Sequence, residues 1–187
     1  MNQCSEQEIA RLLPLVSAQR REQALRYQHL FGQYCCLKSY EMLLTLLHTH
    51  APSADALPTF EYNEYGQPSI IDGPYFSISH CKHAILVAIS ETPIGVDIEH
   101  IRTPKTALIE RTMNVEEQQQ ITQSAQPEYT FTQFWTQKEA YLKLLGTGII
   151  SDIKNTLVST NQIVWQTKVN KEKEYVFTIA TSAEQMQ

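Results

Sequence analysis

In the stretch Phe134-Trp135-Thr136-Gln137-Lys138-Glu139-Ala140-Tyr141-Leu142-Lys143-Leu144-Leu145-Gly146-Thr147-Gly148, a carboxylate and an ammonium, Glu139 and Lys143, stand four residues apart. On a helix that spacing puts them one turn apart on one face. Two readings follow: an exposed ion pair worth roughly 0.2–0.5 kcal/mol, or an acid and a cation turned toward a common substrate. Upstream, Ile94-Gly95-Val96-Asp97-Ile98-Glu99 alternates apolar and acidic residues with strand period. Residues i and i+2 of a strand share a face, so Asp97 and Glu99 are spaced for one cation. Like charges that close repel unless neutralised; a solvated acidic face is the other reading. With Glu139 there are three carboxylates, enough for a hard ion such as Mg²⁺ that keeps positions for phosphate oxygens and water.

These residues need a scaffold, and the pattern supplies one. Ser5-Glu6-Gln7-Glu8 has capping-box spacing and opens a helix that Pro14 closes. Residues 17–29 read as a helix carrying Arg20, Arg21 and Arg26. Another follows Gly32 to about His48, with Leu37, Tyr40, Leu43, Leu44 and Leu47 inward. Residues 49–58 read as a loop. Residues 59–62 form a short strand and 63–68 a turn. Residues 75–80, 84–90 and the Asp97 strand are expected to make an antiparallel meander. Residues 106–122 read as helix with a restart at Asn114-x-x-Glu117, and the polar run 116–120 as a solvated face. Pro127 opens the long helix. Trp135, Ala140, Leu142 and Leu145 give its apolar stripe, and Gly146 and Gly148 end it. Residues 155–160, 162–169 and 174–180 read as strands. The order implies an α+β fold of two similar lobes, 1–100 and 101–187, each a small antiparallel sheet with packed helices.

The chain has 187 residues, 42% hydrophobic and 19% charged, ordinary for a globular protein. A net charge of −5 argues against broad nucleic-acid binding. No apolar run is long enough to span a membrane. Met1-Asn2-Gln3-Cys4-Ser5-Glu6 lacks the basic start and apolar core of a signal peptide, so a cytoplasmic protein is expected. Cys4, Cys35, Cys36 and Cys81 make no C-x-x-C pair and support neither a zinc nor a redox motif. Cys35 and Cys36 read as buried small hydrophobes. Cys81 beside His80 is set aside as a nucleophile pair, since sequence neighbours seldom make the spatial pair such chemistry needs.

Phe76-Ser77-Ile78-Ser79-His80, Gly95-Val96-Asp97-Ile98-Glu99, and Trp135-Thr136-Gln137-Lys138-Glu139-Ala140 with Lys143 follow one another in this order. Together, over about residues 15–165, they resemble the signature of the 4′-phosphopantetheinyl transferases. Having both acidic motifs in one chain resembles the family's longer, monomeric form of two pseudosymmetric lobes. The resemblance implies transfer of the phosphopantetheine arm of coenzyme A to a serine of an acyl or peptidyl carrier protein, with adenosine 3′,5′-bisphosphate leaving. It implies Mg²⁺ on Asp97, Glu99 and Glu139, with Glu139 also the acceptor of the serine proton. Lys143 would meet the diphosphate and the departing group. His80, with Ser79, would contact a coenzyme A phosphate, and Arg20 and Arg26 match the family's basic N-terminal region. Arg21 lies in the same region, Arg20 is the best match to a phosphate-binding lysine there, and Lys38 is a weaker candidate. Gly66-Gln67-Pro68 departs from the family's frequent Gly-Lys-Pro, so that lysine's contacts are not carried over. Two alternatives stand beside this reading. One is another Mg²⁺-dependent phosphoryl or nucleotidyl transferase on the same acids, against which no Gly-x-x-x-x-Gly-Lys or Gly-x-Gly-x-x-Gly loop is present. The other is a catalytically inactive carrier-binding module.

Overall fold

The computed structural model describes residues 5–50, 57–148 and 152–183; Cys4 and most of the loop expected at 49–58 lie outside them. Helix α1 (Glu6–Leu12) starts where expected, with Ser5 Oγ accepting the Glu8 N–H at 3.2 Å. Leu13–Leu15 is a 3-10 turn built around Pro14. Helix α2 (Ala18–Leu25) is capped by Ser17 and is shorter than its sequence span. Helix α3 (Leu30–His50) begins before Gly32. Its Leu37, Tyr40 and Leu43 are fully buried, and Leu37 and Tyr40 pack with Ile9, Leu12, Val16 and Ala24 into a first apolar cluster. Cys35 and Cys36 lie inside that cluster.

Strands β1 (Phe60–Tyr62) and β2 (Pro68–Ile70) form a small hairpin, of which only the first was expected. Strands β3 (Tyr75–His80) and β4 (Ile85–Ser90) pair antiparallel. Strand β5 (Ile94–His100) corrects the expected meander. It pairs with β7 (Tyr175–Ser182), which in turn pairs with β6 (Ile163–Asn170), all antiparallel in the order β5-β7-β6. β3 still runs beside β5, but hydroxyls stand in for the ladder. Ser77 Oγ accepts the Val96 N–H at 3.0 Å and Ser79 Oγ accepts the Ile98 N–H at 3.4 Å. Side-chain acceptors thus satisfy backbone donors of β5 that a neighbouring strand would otherwise take. The strand expected at 155–160 is absent; turns and the 3-10 segment Ile153–Asn155 take its place.

Helix α4 (Thr106–Thr112) stops and α5 (Val115–Gln123) restarts on the Asn114–Glu117 capping box, with both reciprocal hydrogen bonds at 2.9 Å. Helix α6 (Pro127–Leu145) runs to Gly146, whose φ of 73° ends it. Met113, Ile121 and Phe131 form a second apolar cluster with Trp135 packed against it. Ala140 and Leu142 are buried as expected, whereas Leu145, in the last turn of the helix, is exposed. α6 lies directly on β5: a Cβ added to Gly95 would stand 1.9 Å from the Ala140 carbonyl oxygen. Thr136 Oγ1 meets Thr178 Oγ1 of β7 at 2.8 Å, which fastens the helix to the next strand.

Glu117 corrects the reading of 116–120 as a solvated face. It is buried, and its carboxylate pairs at 2.9 Å with the ammonium of Lys138, which has no exposed surface. Lys138 also donates to the carbonyls of Ile153 and Lys154, at 2.9 and 2.8 Å. Burial pushes its pKa down while Glu117 opposes the shift, so the pair holds only as a unit. Lys138→Ala should therefore cost about 3–5 kcal/mol, the scale of a buried pair losing one partner. Glu117→Gln combined with Lys138→Met should cost less than Lys138→Ala alone; urea unfolding of the variants checks both.

Candidate active site

Lys143 does not pair with Glu139. Its Nζ crosses from α6 to β5 and donates to Asp97 Oδ1 at 2.7 Å. Ser79 Oγ donates to the same oxygen at 2.6 Å. Asp97 is 3% exposed, and its second oxygen, Oδ2, is buried without a hydrogen-bond partner. An orphaned carboxylate oxygen in a buried position is costly unless something electropositive meets it. Glu99, two residues along β5, is pushed up to about 7, first by desolvation and then by Asp97; Glu139 raises it further, while Arg102 and Lys143 oppose. Burial also raises Glu139, with Asp97 adding to the shift and Lys143 opposing it. The three carboxylates therefore feel one another, and only Asp97 has an ion-pair partner among the described residues. They are not folded into a cage: no group of three or more His, Cys, Asp or Glu side chains among the described residues is arranged to hold an ion by itself. The donor set still fits a hard cation with few protein ligands, because Asp97 Oδ2 is free and two neighbouring acids are under mutual strain.

Beside this cluster opens a cleft of about 390 Å³, lined by Arg20, Tyr65, Gln67, His80, Glu139 and Lys143 among others. Arg20 sits 5.1 Å over the Tyr40 ring and donates to Gln23 Oε1 at 3.0 Å. It has no carboxylate partner among the described residues, which leaves a cation facing the cleft. His80 meets Phe31 edge to face. Its pKa is pushed down, first by desolvation and then by Lys143, with Asp97 opposing. Other expected residues stand elsewhere. Arg26 pairs with exposed Glu22 at 2.8 Å and does not line the cleft. Arg21 donates to the Leu13 carbonyl, and Lys38 pairs with Glu41. Ser79 is turned onto Asp97 rather than into the cleft.

The sequence model of the 4′-phosphopantetheinyl transferase superfamily matches residues 93–181, the segment that carries β5, α6 and the whole acidic cluster. A 4′-phosphopantetheinyl transferase of Bacillus subtilis, ffp, is 30% identical over 78% of this chain and 66% of its own. The corresponding transferase gsp of Aneurinibacillus migulanus is 30% identical over 79% of this chain and 60% of its own. Sfp of Bacillus subtilis strain 168 is 25% identical over 84% and 72%. The chain belongs to the 4′-phosphopantetheinyl transferase superfamily. It spans less than two thirds of the length of ffp and gsp.

Against the superfamily signature, the geometry divides the Lys-Glu-Ala-x-x-Lys motif. Glu139 and Lys143 face β5 and the cleft, whereas Lys138 turns to Glu117. Three residues escaped the sequence reading. Glu117 was hidden in a polar run; its only signal was the capping box, which already placed it at the third residue of a helix. Asn63 and Gln67 reach the end of α6, donating to the Gly146 and Lys143 carbonyls at 2.8 and 2.7 Å. Nothing local announces an 80-residue reach of that kind.

The raised Glu99 gives a pH prediction. With a folded pKa near 7 against 4.5 unfolded, the folded state holds a proton that the unfolded chain has released between those values. Glu99 thus lowers stability as pH rises from about 5 to 7, by roughly 1–3 kcal/mol in the metal-free protein. Glu99→Gln should gain stability over native as pH rises through that window, and thermal unfolding at pH 5 and pH 8 reads the difference. A constant difference at both pH values would mean that neither burial nor its acidic neighbours raise the Glu99 pKa.

Proposed function

We propose that this protein transfers the 4′-phosphopantetheine arm of coenzyme A to a serine hydroxyl of an acyl or peptidyl carrier protein, releasing adenosine 3′,5′-bisphosphate. The observation that supports this most is the convergence of Asp97, Glu99, Glu139 and Lys143 beside a cleft that Glu139 and Lys143 line together with Arg20 and His80. Asp97, Glu99 and Glu139 would hold Mg²⁺, which when bound supplies charge neutralisation at the diphosphate. Lys143 orients the diphosphate and meets the charge that grows on the departing bisphosphate. Glu139, its pKa already raised by burial, takes the proton of the attacking serine. Arg20 and His80 bind the remaining phosphate, the 3′-phosphate; an anion there also offsets the desolvation that lowers His80. We take the two lobes to meet along β3 and β5, with the protein acting as a cytoplasmic monomer on carriers of fatty-acid, polyketide or peptide synthesis.

Mass spectrometry of an apo carrier protein after incubation with coenzyme A and Mg²⁺ tests the reading. The carrier should gain the mass of the phosphopantetheine arm, and an unchanged mass would leave the inactive carrier-binding module as the better account. Within the site, Glu139→Gln should lower kcat by at least ~10²-fold, the low end for a lost general base. Lys143→Met keeps the stem's packing and should slow transfer while leaving Mg²⁺ affinity nearly intact in the absence of coenzyme A. Equal, slight effects of the two would reduce the helix face to scaffolding. Native protein should also use dephospho-coenzyme A poorly, and the Arg20→Ala, His80→Ala double variant should lose that discrimination.

A further inference from the structure

The turn between β1 and β2 closes on itself. Asn63 Oδ1 accepts the N–H groups of Tyr65 and Gln67 at 3.0 and 2.9 Å, and the Asn63 N–H reaches the Gln67 carbonyl at 3.1 Å. Gly66, at φ 80°, makes the reversal possible. The donors of this small rigid unit point outward, to the far end of α6. Gln67 Nε2 donates to the Lys143 carbonyl at 2.7 Å, and Asn63 Nδ2 to the Gly146 carbonyl at 2.8 Å. These lie among the last carbonyls of the helix, which have no partner within it. The fit is close enough that a Cβ on Gly146 would stand 2.7 Å from Gln67 Oε1 and 3.2 Å from Asn63 Nδ2. Gln67 and Lys143 line both the main cleft and a second cavity of about 380 Å³. Two hydrogen bonds and a close approach at Gly146 thus hold the turn to the helix.

We infer that Asn63 and Gln67 are positioning residues that act through Lys143. They latch the last turn of α6, and so fix the backbone from which the Lys143 ammonium reaches Asp97 and the cleft. Gln67 gives one of its two amide N–H groups to the helix end, and being uncharged it serves the reaction through the neighbouring lysine rather than as a charge on the ligand. The kinetic side of this inference rests on the transferase reading; the structural side does not.

Two measurements decide it. The first is amide hydrogen exchange of Gly146 and Thr147, both of which donate to the Leu142 carbonyl. Gln67→Ala, Asn63→Ala and Gln67→Glu, which keeps the shape but lacks the donor, should each speed that exchange about five- to tenfold, the scale of one lost hydrogen bond. Native exchange in all three overturns the latch whether or not the protein is an enzyme. The second is transfer kinetics. Gln67→Ala should lower kcat about five- to tenfold with KM for coenzyme A within about twofold. In a Lys143→Met background the same substitution should cost nothing further. A rise in KM alone, or an effect that persists undiminished in that background, makes Gln67 a direct ligand contact and overturns the inference. A native protein that transfers nothing refutes the proposed function, while the exchange measurement still decides the latch.

Discussion

β5 and α6 touch backbone to backbone. With 1.9 Å between a Cβ at Gly95 and the Ala140 carbonyl, and 2.5 Å to the Leu144 nitrogen, only a glycine lets the strand come this near. That approach carries the site. Asp97 is two residues past Gly95 on the strand, and Glu139 and Lys143 flank Ala140 on the helix. A side chain at position 95 would have to push the two elements apart, and the 2.7 Å bond between Lys143 and Asp97 would open with them. Interiors are packed too densely to absorb such a shift elsewhere.

The charges at this junction run against the protein's overall balance. The chain is acidic, with a net charge of −5, yet Arg20, Lys143 and His80 converge on one cleft. The acids behind them are crowded and desolvated, which costs stability when Glu99 and Glu139 ionise. A cation bound there would relieve the repulsion, and an anion in the cleft would meet Arg20 and Lys143. Under the proposed function each ligand would thereby lower an electrostatic strain, an arrangement common where sites are preorganised for charged substrates.

Much of this was legible in the sequence because it is written in short-range patterns. Strand alternation placed Asp97 and Glu99 on one face, helical spacing placed Glu139 with Lys143, and the Asn114–Glu117 restart appeared as expected. The failures share one cause, which is that pairing partners are long-range. β5 is near β3 and β4 in the chain, so proximity argued for a meander; its ladder is instead with β7, some eighty residues away. Serines 77 and 79 made this possible by supplying acceptors to β5, a role that a family resemblance to phosphate-binding residues obscures. Arg26 looked equivalent to Arg20 in composition, but it follows α2 on the outer side and meets Glu22. Charge type alone does not reveal the side of a helix that faces a cleft.

Lys138 and Glu139 show how one dipeptide can serve both fold and site. Adjacent helical residues point about 100° apart, so anchoring one sets the direction of the other. Lys138 is anchored three ways, to Glu117 and to two carbonyls, in a setting with no exposure. A buried pair of this kind adds little net stability compared with apolar packing, and its three bonds tie one side of α6 to α5 and to residues 153–154. With the helix so tied, Ala140 lies under Gly95, and Glu139 and Lys143 look onto β5 and the cleft. The far end of the helix is held by Asn63 and Gln67. Held at Lys138 and again at its terminal turn, the span between presents Glu139 and Lys143 on the side of Asp97. The spacing from Lys138 to Gly146 is therefore a mechanical requirement as well as a chemical one.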